Sequence, residues 1–284
     1  MTTASIDRAF VRIDEGQVHY RKHINVKNSS KLPIYMIHAS PSSSLNLTPL
    51  IGQLGATRDV FAPDTLGFGD SPPPVQDIPN AEDYAESTLR VMDALAIEKC
   101  DLYGSHTGAH IACELAIMHP ERINRIVFDG IGMFSEQDKT DFLANYAPEV
   151  IPDEFGQHLI WAWNFVRDQV IHFPYFRRTP EFRRTEETYP PATAIHSVVV
   201  EVLKGLTTYH KGYRAAFRHP DKERLPLIQH TTLCAASDDD PLKAGVEEAA
   251  KLIANSHMAL LPAERTVEGL REKASLIMNF FDAK

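Results

Sequence analysis

Tyr103–Ala116 reads YGSHTGAHIACELA. The apolar run CDLYGS leads into a turn framed by Gly104 and Gly108, and beyond it the apolar residues recur with helical spacing. A strand that passes so abruptly into a helix projects the central side chain of the turn above the sheet. The next N–H, that of Thr107, joins the free donors at the helix N-terminus. The central residue here is His106.

Outward from this turn, strand-like and helical runs alternate. DVFAPD, CDLYGS and INRIVFDGIG read as strands; AEDYAESTLRVMDALAI and TGAHIACELAIMHP read as the helices between them. That order predicts right-handed crossovers and a parallel sheet covered on both faces. Ahead of it, FVRID, QVHYRKHIN and LPIYMIH read as three strands, separated by Glu15-Gly16 and by the polar break VKNSSK. The alternation stops between residues 134 and 225, which are helical, aromatic and rich in paired charges. It resumes with HTTLCAAS, AGVEEAAKLIAN, HMALLPA and the amphipathic VEGLREKASLIMNFF. The expected organisation is one α/β core over 1–133 and 226–284, with 134–225 as a helical insertion.

The 284 residues, 43% hydrophobic, suffice for one large core. A net charge of −9, with no basic run beyond Arg177-Arg178 and Arg183-Arg184, argues against nucleic acid or an anionic membrane as partner. The N-terminal MTTASIDRAF carries no apolar stretch of the kind that directs export, and a soluble cytoplasmic protein is expected. Cys100, Cys113 and Cys234 sit in apolar stretches without a C-x-x-C pair, which predicts buried reduced thiols.

Three further motifs accompany the turn: IHASPSSS after the third strand, DTLGFGDS at Asp64–Ser71, and AASDDDP after a late strand. With all four in this order, the chain resembles the α/β-hydrolase fold family. The resemblance implies a mostly parallel eight-stranded sheet with helices on both faces and a helical cap at 134–225. It also implies a small-molecule substrate, no cofactor, and a hydrolysis or related C–C or C–O cleavage; it leaves room for a homodimer. The oxyanion loop of that family matches His38-Ala39-Ser40-Pro41, so the Ser40 and Thr107 N–H groups are the expected oxyanion donors and His38 a support of the loop. In the family's turn the central residue is Ser, Cys or Asp. Here it is His106, with Ser105 beside the site, and no histidine follows His257. The usual nucleophile and base are both missing.

An imidazole in that place can serve as a general base on water or on a substrate C–H or O–H. Covalent acyl-imidazole chemistry ranks lower, since its hydrolysis needs a further base. The acid that orients His106 is expected from Asp240 or from Asp129, with Asp238 and Asp239 solvated. His110 lies one helical turn beyond His106, yet the pair lacks the Glu and the third ligand of a metal site, and no metal is expected. A cap usually roofs the pocket, which makes Trp161, Arg167 and Tyr209 candidate ligand contacts. The competing reading is a ligand-binding member of the fold without turnover.

Overall fold

The computed structural model describes residues 5–25, 30–184 and 191–283. The polar break expected over 26–31 lies largely outside them. In chain order the elements up to the elbow helix are β1 (Asp7–Ile13), β2 (Gly16–His23), β3 (Ile34–Ile37), α1 (Thr48–Leu54), β4 (Val60–Pro63), α2 (Ala81–Ala94), β5 (Cys100–Ser105) and α3 (Thr107–Met118). They continue with β6 (Ile123–Asp129), α4 (Glu136–Asn145), α5 (Gln157–Ile171), α6 (Ala192–Lys204), α7 (Tyr209–Arg218) and α8 (Asp221–Arg224). The chain closes with β7 (Thr231–Ser237), α9 (Lys243–Leu252), β8 (Ser256–Leu261) and α10 (Val267–Phe281). The helix α1 was not anticipated; seven residues opened by a proline near the N-terminal end are too few to show a helical period.

The eight strands form one sheet in the order β1-β2-β4-β3-β5-β6-β7-β8. β2 runs antiparallel to both β1 and β4, and the remaining neighbours are parallel. The central strands are buried on both faces, which is why they read as continuous apolar runs. Alternate residues divide between two cores. Tyr35, Ile37, Leu102, Ile126 and Phe128 pack with Tyr84, Met92, Ile111, Leu115 and Val246 of α2, α3 and α9. Ile34, Met36, Tyr103 and Val127 pack with Leu50, Leu54, Ile277 and Phe281 of α1 and α10. The three cysteines are free and buried.

Between β6 and β7 the chain leaves the sheet. Phe142, Tyr146, Phe165, Val202, Tyr209, Tyr213 and Phe217 from α4 to α7 build a third core, to which the sheet side contributes Phe68. Hydrogen bonds tie this block down, among them Thr208 Oγ1 to the Gly67 carbonyl at 2.6 Å and Tyr213 Oη to the Ser40 carbonyl at 2.9 Å.

Packing is tight at the turn between β5 and α3. His106 sits at φ 48°, ψ −111°, where a side chain other than glycine is strained. A Cβ on Gly104 would lie 2.5 Å from the Gly108 carbonyl oxygen, and one on Gly108 only 2.3 Å from that of Ile37. The glycine frame is therefore required by the approach of α3 to β3 and β5. Gly108→Ala should cost about 3 kcal/mol, the upper range for overpacking, because the obstructing atom is backbone. Urea unfolding of native and variant protein checks this; a loss below about 1 kcal/mol would mean that α3 can slide away.

Candidate active site

The loops after β3, β5 and β7 meet the helical block around a cavity of 260 Å³. Its floor is Ala39, Ser40, Pro41, His106, Thr107 and His110, and Pro241 and Leu242 form one wall. Phe134, Tyr146, Gln169, Phe173, Arg184, Tyr213 and Phe217 complete the enclosure from the block.

His106 Nε2 lies 2.7 Å from Asp240 Oδ2, and Asp240 Oδ1 accepts the Leu242 N–H at 2.7 Å. Burial acts to raise the Asp240 pKa, but the hydrogen bond and charge of His106, with the Leu242 N–H, outweigh it and hold the carboxyl below its ordinary value. A carboxylate only accepts, so Nε2 carries the ring proton and Nδ1 keeps a lone pair. The imidazole is about one-third exposed at the cavity. Gly130 backs the contact: a Cβ there would lie 2.6 Å from the His106 ring and 2.8 Å from Asp240.

Asp129 is placed differently from Asp240. Its carboxylate accepts Tyr103 Oη and Lys273 Nζ, each at 2.5 Å, and Lys273 also reaches Glu264 at 2.5 Å. Only its main-chain carbonyl serves the turn, accepting the His106 N–H at 3.1 Å. Of the two expected acids, Asp240 is hydrogen-bonded to His106, whereas Asp129 is bound to Lys273 and Tyr103 instead. Burial would depress the Lys273 pKa, but the two carboxylates raise it well above the ordinary lysine value. Ser105 lines a separate polar cavity of 300 Å³ with Tyr103, Asp129, Glu264 and Lys273. Asp238 pairs with Lys243, and Asp239 lies 3.0 Å from Arg265.

Ser40 and Thr107 line the cavity floor. His38 is buried behind them; Nδ1 faces the Ala39 carbonyl at 2.9 Å and Nε2 accepts the Thr65 N–H at 2.9 Å. Burial lowers its pKa against the opposing charge of Asp64.

Trp161, Arg167 and Tyr209 do not line this cavity, and the expectation that they roof it is corrected. Trp161 stacks on Phe165 at 4.7 Å inside the block's own core, Arg167 Nε donates to Asp168 at 2.8 Å, and the fully buried Tyr209 donates to the Pro148 carbonyl. The roof comes instead from the same stripe further along α7, where Tyr213 and Phe217 follow Tyr209 at intervals of four.

His110 also lines the cavity, and its Nδ1 lies 2.9 Å from Asp221 Oδ1. That oxygen also accepts from His219 Nδ1 at 2.7 Å, while His219 Nε2 reaches Glu114 Oε1 at 2.7 Å and Arg224 binds the same carboxylate. Burial opposes the His219 charge, but its hydrogen bonds to Asp221, Cys113 and Glu114 raise its pKa to about 11. Both of its nitrogens then donate, which leaves no lone pair for a metal. His110, His219 and Asp221 are close enough to ligate one, but protons hold the cluster together.

Residues 33–242 match the alpha/beta hydrolase fold, and the chain belongs to that family. It is similar to a 2-hydroxymuconate semialdehyde hydrolase of Pseudomonas sp. (strain CF600), 41% identical over 101 residues, which is 34% of this chain and 36% of the relative. A 2-hydroxy-6-oxononadienedioate/2-hydroxy-6-oxononatrienedioate hydrolase of Paraburkholderia xenovorans (strain LB400) is 33% identical over 139 residues, 46% of this chain and 47% of the relative. The matches thus span about a third to a half of these curated relatives. Among solved structures, the enol-lactonase from Burkholderia xenovorans LB400 superposes with a TM-score of 0.73 at 19% identity, covering 96% of this chain and 99% of that one, and supports the fold. Among the described residues no helix is long and apolar enough to cross a membrane.

Two outcomes are expected here. A serine-directed fluorophosphonate should leave Ser105 unlabelled in the native protein, as intact-mass spectrometry would show, because Ser105 lines the polar cavity, whose lining among the described residues holds no histidine to deprotonate it. The His219 charge stabilises the fold fully below about pH 6.5, the ordinary imidazole value, and this contribution declines as pH rises toward about 11. The deficit of His219→Gln in urea unfolding should therefore be largest at neutral pH and shrink with alkalinity.

Proposed function

We propose that this protein is a cofactor-independent hydrolase that cleaves a C–C or C–O bond beside the carbonyl of a small organic acid, with the 134–225 block as its cap. The observation that carries this reading is the His106–Asp240 hydrogen bond at the cavity floor. Asp240 fixes the ring, and the Nδ1 lone pair takes a proton from water. The hydroxide adds to the carbonyl carbon, and the resulting oxyanion is held by the Ser40 and Thr107 N–H groups. Collapse restores the carbonyl and breaks the neighbouring bond; its electron pair goes to the leaving atom, which takes up a proton. One water is consumed per bond cleaved.

Arg184 supports an acidic substrate. Its guanidinium lines the cavity, donates to the Gln169 and Asp239 main-chain carbonyls at 2.9 and 3.2 Å, and acts on the nearby Asp240 carboxylate, so the cavity carries a positive charge suited to a ligand carboxylate. The names of the relatives point the same way, since a dienedioate and a hydroxymuconate semialdehyde both carry carboxylates.

A binding protein without turnover is the second reading. It is favoured by Glu264, which follows the last strand where the family keeps its histidine and is paired with Lys273.

The test uses 2-hydroxymuconate semialdehyde and 2-hydroxy-6-oxo-2,4-heptadienoate, followed by loss of dienol absorbance. His106→Ala should lower kcat/KM about a hundredfold or more with little change in Tm. His106→Ser should do no better, since no histidine follows the last strand to activate the new hydroxyl. Release of both compounds unaltered by the native protein would favour the binding reading, and gain of activity in His106→Ser would refute the assigned base.

A further inference from the structure

His106, at the turn that caps α3, and His110, within the first turns of that helix, both line the cavity. The proposed chemistry uses His106 and leaves His110 without a part. Yet His110 is held as firmly: it is 2% exposed, and Nδ1 lies against Asp221 Oδ1 at 2.9 Å, though off the axis of a well-formed hydrogen bond. A lone pair turned toward a carboxylate oxygen would be repelled, so the Nδ1 position carries the proton.

The array behind the ring is complete without it. Asp221 and Glu114 supply two negative charges, and His219 and Arg224 supply two positive ones, within direct contact of each other. No charge is required of His110 to neutralise this buried group. The array fixes the ring and leaves its other nitrogen, Nε2, free of Asp221.

We propose that His110 is a second polar anchor of the cavity, offering Nε2 as acceptor to a hydroxyl or enol on a substrate whose carbonyl is served by His106. This rests on the function proposed above and narrows its substrate class. The ligand is a carbonyl compound that also carries a hydrogen-bond donor. Phe134, Tyr146, Phe173, Phe217 and Leu242 make up much of the lining, so a hydroxyl set against them would lose its partner on leaving water.

The experiment measures binding by calorimetry in the His106→Ala protein, where turnover is suppressed. The probes are 2-hydroxy-6-oxo-2,4-heptadienoate and the same compound without its hydroxyl, 6-oxo-2,4-heptadienoate. The hydroxylated probe should bind about tenfold tighter, the scale of a hydrogen bond whose loss leaves a buried group unpaired. Adding His110→Leu should bring the two affinities within about twofold of each other, while that of 6-oxo-2,4-heptadienoate stays within about threefold of its former value. His110→Gln, whose amide oxygen can accept, should retain part of the preference. Equal affinities before His110 is changed, or a preference that survives His110→Leu, would overturn the anchor and leave the hydrolase reading standing. Equal weakening of both probes by His110→Leu would reduce the residue to packing and also overturn it. If neither probe binds and the native protein turns over neither hydroxylated compound, the proposed substrate class fails and the anchor with it.

Discussion

Helix α3 approaches the sheet so closely that a single methyl group on residue 108 would strike the Ile37 carbonyl. The arrangement of the site follows from that approach. A strand and a helix joined at this distance leave one residue for the turn, and that residue takes a positive φ. Its side chain then stands clear of both elements, and the first N–H groups of the helix face the same space. The strain is borne by two extensive cores, one on each face of the sheet, that fix β5 and α3 independently of the residue between them.

The two carboxylates nearest the turn illustrate how surroundings divide roles among like groups. Asp129, at the end of β6, is enclosed by a lysine and a tyrosine and is linked through that lysine to Glu264. Asp240, after β7, is met by one main-chain N–H and one imidazole. Lysine brings a full positive charge that meets the charge of Asp129 and Glu264, whereas Asp240 is left to the imidazole. The histidine at the turn has thereby acquired the carboxylate partner directly, without a third residue between them.

The alternation of strands and helices and the glycine frame were legible because each rests on local pattern: period two, period 3.6, or a turn that admits no Cβ. The choice between Asp129 and Asp240 was not. One ends a core strand and the other follows one closely, and what distinguishes them is Lys273, a residue of the closing helix far along the chain. The roof was misplaced for a related reason. Tyr209, Tyr213 and Phe217 form one visible stripe, but which end meets the cavity depends on how the block sits on the sheet. The His110–Asp221–His219–Glu114 cluster gave no signal either, since His219 and Glu114 lie 105 positions apart.

Tyr213 belongs to the roof, yet its hydroxyl is bonded to the carbonyl of Ser40 on the floor. Roof and floor are thus mechanically linked across the peptide unit next to a proposed oxyanion donor. A bulky guest that lifts α7 pulls on the same strand of backbone that is meant to steady the reaction. The linkage is soft, about 1 kcal/mol for one neutral hydrogen bond, so it would grade rather than forbid. A guest that fits leaves the donor loop at rest, and an oversized one detunes it, so that selection by size is felt as a change in rate as well as in binding.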